Sequence, residues 1–236
     1  MLVEQWLEWT RGPLFRFALA VMVLGLIRLV VLNGINLTSL IRHSHDKKMP
    51  VGVVARDTLR WLFPFTRVPA SQRFFTLVSV AFHLCIIIVP IFLAGHILLW
   101  QRGLGLSWPA MYQTLADYMT LFAIATGLLL FVRRVSTHLT RSLSRVQDYL
   151  LPLIIVTTFA SGYLAVHPAV NPVGYDVTML VHALSGDLVL ILIPFSKLSH
   201  MLLLPISHLV SELGWHLVPE AGTRVALALG KEGEPV

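Results

Sequence analysis

The chain has 236 residues, of which 56% are hydrophobic and only 13% charged, with a formal net charge of +6 and a mean hydropathy of +0.76. Soluble domains carry about 25% charged residues, so this composition excludes an ordinary soluble enzyme and fits a chain embedded in lipid. The basic excess does not point to nucleic acid, because the arginines and lysines gather in particular connections between apolar stretches.

A helix needs about 20 apolar residues to cross a bilayer. Five stretches meet that length, at roughly 14–33, 74–100, 114–132, 149–166 and 177–204. The first runs too long for a signal peptide and lacks a small-residue cleavage site, so it reads as a retained helix. The connection at about 34–73 contains Arg42, Lys47, Lys48, Arg56, Arg60, Arg67 and Arg73. Its middle, residues 51–63, interleaves Val54, Leu59, Trp61 and Leu62 with Arg56, Asp57 and Arg60, the pattern of a helix lying in the headgroup region. The segment from Pro64 to Pro69 turns the chain into span two, and Cys85 within that span is inert packing. Arg133, Arg134, Arg141 and Arg145 crowd the connection between spans three and four. The other side has Arg11, Arg16 and Arg102, with no basic residue between spans four and five. The positive-inside rule then sets the N-terminus outside and the C-terminus in the cytoplasm. The expected fold is all-α, a five-helix bundle in the cytoplasmic (inner) membrane with an interfacial helix between spans one and two. Residues 1–210 make the membrane domain and 211–236 a cytoplasmic tail, which leaves no separate soluble catalytic domain.

Histidines carry the chemistry. His83 and His96 lie in span two, His182 and His200 in span five. An imidazole in hydrocarbon is costly unless its nitrogens are occupied, so these four are functional candidates. Two pairs on two spans are what two six-coordinate haems need. The spans run antiparallel, so His83 pairs with His200 at the inner haem iron and His96 with His182 at the outer. The 18 residues from His182 to His200 amount to about 27 Å and five full turns of a regular helix, which faces both rings the same way. The 13 residues from His83 to His96 put those rings roughly 140° apart, and a bend at Pro90 is expected to realign them. Gly95, Ser79 and Gly186 flank the ligands and leave room for a macrocycle; Gly127 and Gly162 do the same on neighbouring spans or serve helix packing. His43, His45, His138 and His167 fall in loops, and His208 and His216 in the tail, where they meet water or headgroups.

The stretch from His182 to His200 contains Ser185-Gly186-Asp187 and ends Pro194-Phe195-Ser196-Lys197-Leu198-Ser199-His200, with Pro205 following. It resembles the gamma subunit of respiratory nitrate reductase, as do Gly95-His96 and Gly127 with Arg133-Arg134 at the end of span three. The similarity runs from about residue 74 to 210. It implies a dihaem b-type cytochrome with His83, His96, His182 and His200 as axial ligands and a quinol site near the outer haem. The span-two histidines stand further apart than is usual in nitrate reductase subunits, and the first cytoplasmic connection is longer. Both departures point to the wider branch that serves iron–sulfur complexes of the heterodisulfide-reductase type, including those of sulfate reducers.

The function this implies is that of the membrane subunit of a quinol:acceptor oxidoreductase in a respiratory chain. Menaquinol or ubiquinol is oxidised near the outer haem and electrons pass inward to a partner redox subunit. An alternative runs the other way, with quinone reduced by electrons from a multihaem cytochrome or iron–sulfur protein. Two further alternatives are a histidine-lined transporter without haem and a structural anchor that has lost its haem sites. Asp187, a carboxylate within span five, handles quinone protons or pairs with a polar neighbour, and Asp117 and Tyr118 are alternative proton acceptors. Arg67, Arg73, Arg133, Arg134 and Lys197 pair haem propionates or only satisfy the charge bias.

Overall fold

The computed structural model describes residues 2–43, 51–62, 68–217 and 220–231. Among them every regular element is helical, and five helices are long and apolar enough to cross a membrane. Lipid demands this, since each buried backbone N–H and C=O must find its partner inside the chain. Helix α1 (Leu2–Trp9) passes through a π-helical turn, Thr10–Leu14, into α2 (Phe15–His43). Pro13 lies within that turn; having no amide hydrogen, it cannot continue a regular ladder, and one widened turn absorbs it. The apolar stretch expected at 14–33 is therefore part of a longer helical run, Val3–Ser39. Helix α3 (Val51–Leu62) stands where the interfacial helix was expected. The Pro64–Pro69 turn is described only from Val68 on, and His45, Lys47, Lys48 and Arg67 lie outside the described residues.

The chain divides into two compact units, Met1–Leu24 with Val68–Leu198, and Gly25–Arg67 with Ser199–Val236. In the second, α3 packs on α10 (His200–Leu217), which leads to α11 (Ala221–Leu229).

The first unit holds α4 (Ala70–Phe92), α5 (Ala94–Leu104), α6 (Gln113–Ser136), α7 (His138–Leu143), α8 (Val146–Val166) and α9 (Tyr175–Leu192). Helix α6 packs against both α4 and α8; α8 packs against α9, and α9 against α1 and the π turn. What lets α6 sit between two neighbours is a small buried face of Ala116, Thr120, Ala123, Thr126 and Gly127, since small side chains let helix backbones approach closely. Its hydroxyls do not go unsatisfied, because Thr120 donates to the Ala116 carbonyl at 2.7 Å and Thr126 to that of Phe122 at 2.6 Å. At Gly127 a Cβ would lie 2.8 Å from Val156 Cγ2 and 2.9 Å from Phe82 Cε2. Gly127→Ala is therefore expected to cost about 1–3 kcal/mol by overpacking, read as a lower melting temperature of the detergent-solubilised chain.

The two edges of this unit differ in chemistry. At one, the Arg133 guanidinium lies 3.8 Å over the Phe75 ring and donates to Gln72 Oε1 at 2.7 Å. There too Asp148 accepts from Lys197 and from the Arg145 amide and lies 3.7 Å from Arg134. The other edge gathers Trp6 against Trp9, Phe15 against Trp100, and Trp100 against Trp108. Such indoles favour the membrane–water interface, where an apolar ring meets a polar N–H.

Two spans are interrupted. The bend expected at Pro90 is a full break three residues later: α4 ends at Phe92, Leu93 is extended (φ −71°, ψ 130°), and α5 starts at Ala94. The break strips the last carbonyls of α4 of their helical donors. New donors take them: the Ile91 carbonyl accepts from Trp108 Nε1 at 2.8 Å, and that of Phe92 from the Met111 amide at 2.9 Å. The span expected at 177–204 is not one helix. Helix α9 stops at Leu192, and the chain turns through Pro194 and a short 3-10 turn, Lys197–Ser199, before His200 opens α10. Pro194 supplies no amide to the ladder, and the turn finds substitutes, with the Ser196 amide on the Leu192 carbonyl at 3.0 Å and the Lys197 amide on Gln147 Oε1 at 3.3 Å. The five-turn phase expected between His182 and His200 does not hold, because the two residues lie on separate helices.

Candidate metal centre

His182 lies on α9 and its ring is set against α8. A Cβ at Gly162 would come within 2.8 Å of His182 Cε1 and 2.9 Å of Nδ1, so the absent side chain is the seat of the imidazole. One turn earlier on α8, the Thr158 carbonyl accepts a hydrogen bond from His182 Nδ1 at 2.8 Å. Residues four apart share a helix face, so one turn of α8 supplies both the flat surface and the acceptor. His96, on α5, is fixed by the break itself. Its Nδ1 donates to the Pro90 carbonyl at 3.1 Å, the third of the carbonyls that the interruption releases.

A carbonyl only accepts, so the proton of each neutral ring is at Nδ1 and the lone pair at Nε2. This is the tautomer of a metal-ligating histidine whose other nitrogen is held by a backbone carbonyl. The His96 and His182 ring centroids are 5.8 Å apart, with planes 9° from parallel. Metal–nitrogen distances of about 2.0 Å on each side place the centroids of two opposed imidazoles roughly 6 Å apart. The ring separation is therefore that of two imidazoles sharing one metal. No cluster of three or more His, Cys, Asp or Glu side chains suited to a metal occurs among the described residues. A structural zinc site wants four protein ligands, so two imidazoles suit a metal that brings its own equatorial ligands, as haem iron does. A Cβ added at Gly95 or Gly186 would meet nothing within 4 Å, and Gly95 is exposed.

The remaining expected residues fall into distinct groups. His83 is half-buried, and its Nδ1 donates to the carbonyl of Ser79 at 2.6 Å, so Ser79 acts through its backbone. His83 belongs to the first unit, and His200, the first residue of α10, to the second. Arg133, Arg134 and Lys197, expected near haem propionates, engage Gln72, Phe75, Ser144 and Asp148. Asp187 is 5% exposed, and its Oδ2 is buried without a hydrogen-bond partner among the described residues; such an atom calls for a water or a ligand. Tyr118 is 69% exposed.

Asp117 has two side-chain neighbours. Its Oδ1 accepts from Gln113 Nε2 at 2.8 Å, and its Oδ2 lies 3.5 Å from Nε2 of His167. His167 was expected to meet only water or headgroups; instead it also stacks on Tyr163 at 4.0 Å. Asp117 is near the start of the third span and His167 at the end of the fourth, and adjacent antiparallel spans put those two ends at one edge.

Over 197 residues the chain is 32% identical to a protein of Nitratidesulfovibrio vulgaris (strain Hildenborough), the match covering 81% of this chain and 85% of that one. The designation of that protein states no activity. The chain matches no family profile and no solved structure.

Proposed function

We propose that this chain, which belongs to one family with the Nitratidesulfovibrio vulgaris protein, is the dihaem b-type membrane subunit of a respiratory redox complex. In this reading it oxidises quinol near its outer haem and passes the electrons to a partner redox subunit, an iron–sulfur protein or a multihaem cytochrome. One observation carries the reading. Two imidazoles from the second and fifth spans stand 5.8 Å apart and nearly parallel, each with Nδ1 tied to a carbonyl. Haem bound between them would supply one-electron transfer at its iron.

The chain's own residues do the rest. Thr158 and Pro90 hold the tautomers, Gly162 gives the His182 ring its place, and the Leu93 break frees the carbonyl on which His96 depends. A second haem is assigned to His83 and His200 on the sequence alone. His182 is seven residues along α9 from Tyr175, about 10 Å from the tryptophan-rich edge. The excess of arginine at the opposite edge sets that side toward the cytoplasm, so the His96–His182 pair is the outer one. Asp187, with its orphaned oxygen, is a candidate to hold a quinol proton in the span, as are Asp117 and Tyr118 at the outer edge. The resemblance to nitrate reductase gamma subunits supports the same assignment, with menaquinone or ubiquinone as the membrane-soluble partner.

Full-length chain purified from haem-replete membranes is expected to show a low-spin b-type spectrum with two haems per chain, reduced on addition of a short-chain quinol. A preparation with no Soret band would reject the reading and favour a histidine-lined transporter.

A further inference from the structure

We propose that Asp117 and His167 form a proton outlet, taking up the protons released when quinol is oxidised and delivering them to water at the tryptophan-rich edge. The inference rests on the quinol-oxidising reading above and adds to it the route by which protons leave. His167 closes α8, and its Nδ1 donates to the Tyr163 carbonyl at 2.8 Å. That contact fixes the neutral ring as the Nδ1–H tautomer, so Nε2 presents a lone pair. Facing it at 3.5 Å is a carboxylate oxygen, Asp117 Oδ2, which when ionised also only accepts. Two acceptors side by side repel, and the contact is satisfied only when a proton lies between them. A proton carried by either group would join the two.

Its setting suits an outlet. The side chains of His167 and Asp117 are 30% and 24% exposed, open to water on one side and packed on the other. Tyr163, stacked on His167, directly follows Gly162, against which the His182 ring is seated. From Gly162 to His167 the helix rises about 7.5 Å toward the edge. Gln113 holds the far oxygen of Asp117 at 2.8 Å and so fixes the carboxylate. Of the other polar groups at this edge, Arg11 donates to the Tyr175 hydroxyl at 3.1 Å and Tyr118 is largely exposed. In each turnover two quinol O–H bonds break. Haem bound by His96 and His182 would take the two electrons one at a time, and the two protons pass in turn to His167 Nε2 and through Asp117 to water.

The test uses the full haem-loaded chain in detergent, with the rate of haem reduction by a short-chain menaquinol followed at the Soret band. General-base contributions run to about 10²–10⁴-fold, so His167→Gln and Asp117→Asn are each expected to slow reduction at least about tenfold. Imidazole added to the buffer should restore much of the loss in His167→Gln, a rescue that a purely structural role would not give. Dithionite should still reduce the full haem complement of both variants. Variants reduced by quinol at the wild-type rate, or slowed without rescue, overturn the outlet and leave quinol oxidation standing. A variant that loses the outer haem marks the pair as structural and overturns the outlet as well. A wild-type chain that binds haem but is not reduced by quinol overturns both the outlet and the quinol reading.

Discussion

Replacing His182 by alanine is expected to halve the haem content of the purified chain, from two b haems to one, and to leave the remaining haem reducible by dithionite. The substitution removes one of the two imidazoles whose ring centroids stand 5.8 Å apart, and nothing near can replace it, since no third potential ligand gathers there among the described residues. His96, still tied to the Pro90 carbonyl, would then offer a single bond to the iron. The fold should tolerate the change, because the vacated volume lies against Gly162 and leaves no donor stranded; the Thr158 carbonyl keeps its helical partner. Exogenous imidazole fits that vacancy and should restore the low-spin spectrum. His200→Ala should remove the other haem and spare this one. If either substitution removes both haems, or neither, the pairing of His96 with His182 is wrong. Haem-to-protein ratio by the pyridine haemochromogen method is the measurement.

The five spans were legible because length and hydrophobicity alone decide them: lipid tolerates few other structures, and each stretch reaches the spanning range of about 17–25 residues. Helix α3 was legible for the same kind of reason, as apolar and basic residues alternate at helical spacing. The breaks were not. Pro152 and Pro205 lie inside unbroken helices, yet the chain breaks at Leu93 and after Leu192. A proline does not by itself mark an interruption. What decides is whether freed backbone groups find other partners, and those partners come from elsewhere: Trp108 and Met111 for α4, Gln147 for the turn after α9. That is why the phase relation between His182 and His200, sound for a straight helix, failed.

At the site, the imidazoles were legible as residue types, but their holders were not. Thr158 and Pro90 act through backbone carbonyls, which every residue has, and only the packing of α8 on α9 and the break at Leu93 select these two. The Asp117–His167 pair spans fifty residues of sequence. Its only signal was that the third span begins, and the fourth ends, at the same edge.

Gly162→Ala should damage the outer haem while scarcely changing the stability of the fold. The added Cβ would sit 2.8 Å from His182 Cε1 and 2.9 Å from Nδ1, closer than carbon atoms approach in practice. The neighbour is a rigid ring, not the far end of a flexible chain, and it is already held by Thr158 at 2.8 Å. Relief requires the imidazole to swing off its acceptor or move away from α8, and either motion spoils the alignment with His96. Disturbing the groups that orient a metal-binding histidine typically weakens metal affinity by about 10–100-fold. Alanine gains up to about 1 kcal/mol over glycine within a helix at either position; what spares the fold at Gly162 is that displacing one imidazole relieves the clash. Gly127→Ala supplies the contrast, since its Cβ would press on Phe82 and Val156 rather than on an imidazole, although Phe82 lies edge-on to the His83 ring at 5.6 Å. The two substitutions are therefore expected to separate: Gly127→Ala lowers the melting temperature and keeps the outer haem, whereas Gly162→Ala keeps the melting temperature and loses or shifts the outer haem in a redox titration. A Gly162→Ala chain with two haems at unshifted midpoint potentials would show that His182 is free to reorient, and the case for its ring as a positioned ligand would fall with it.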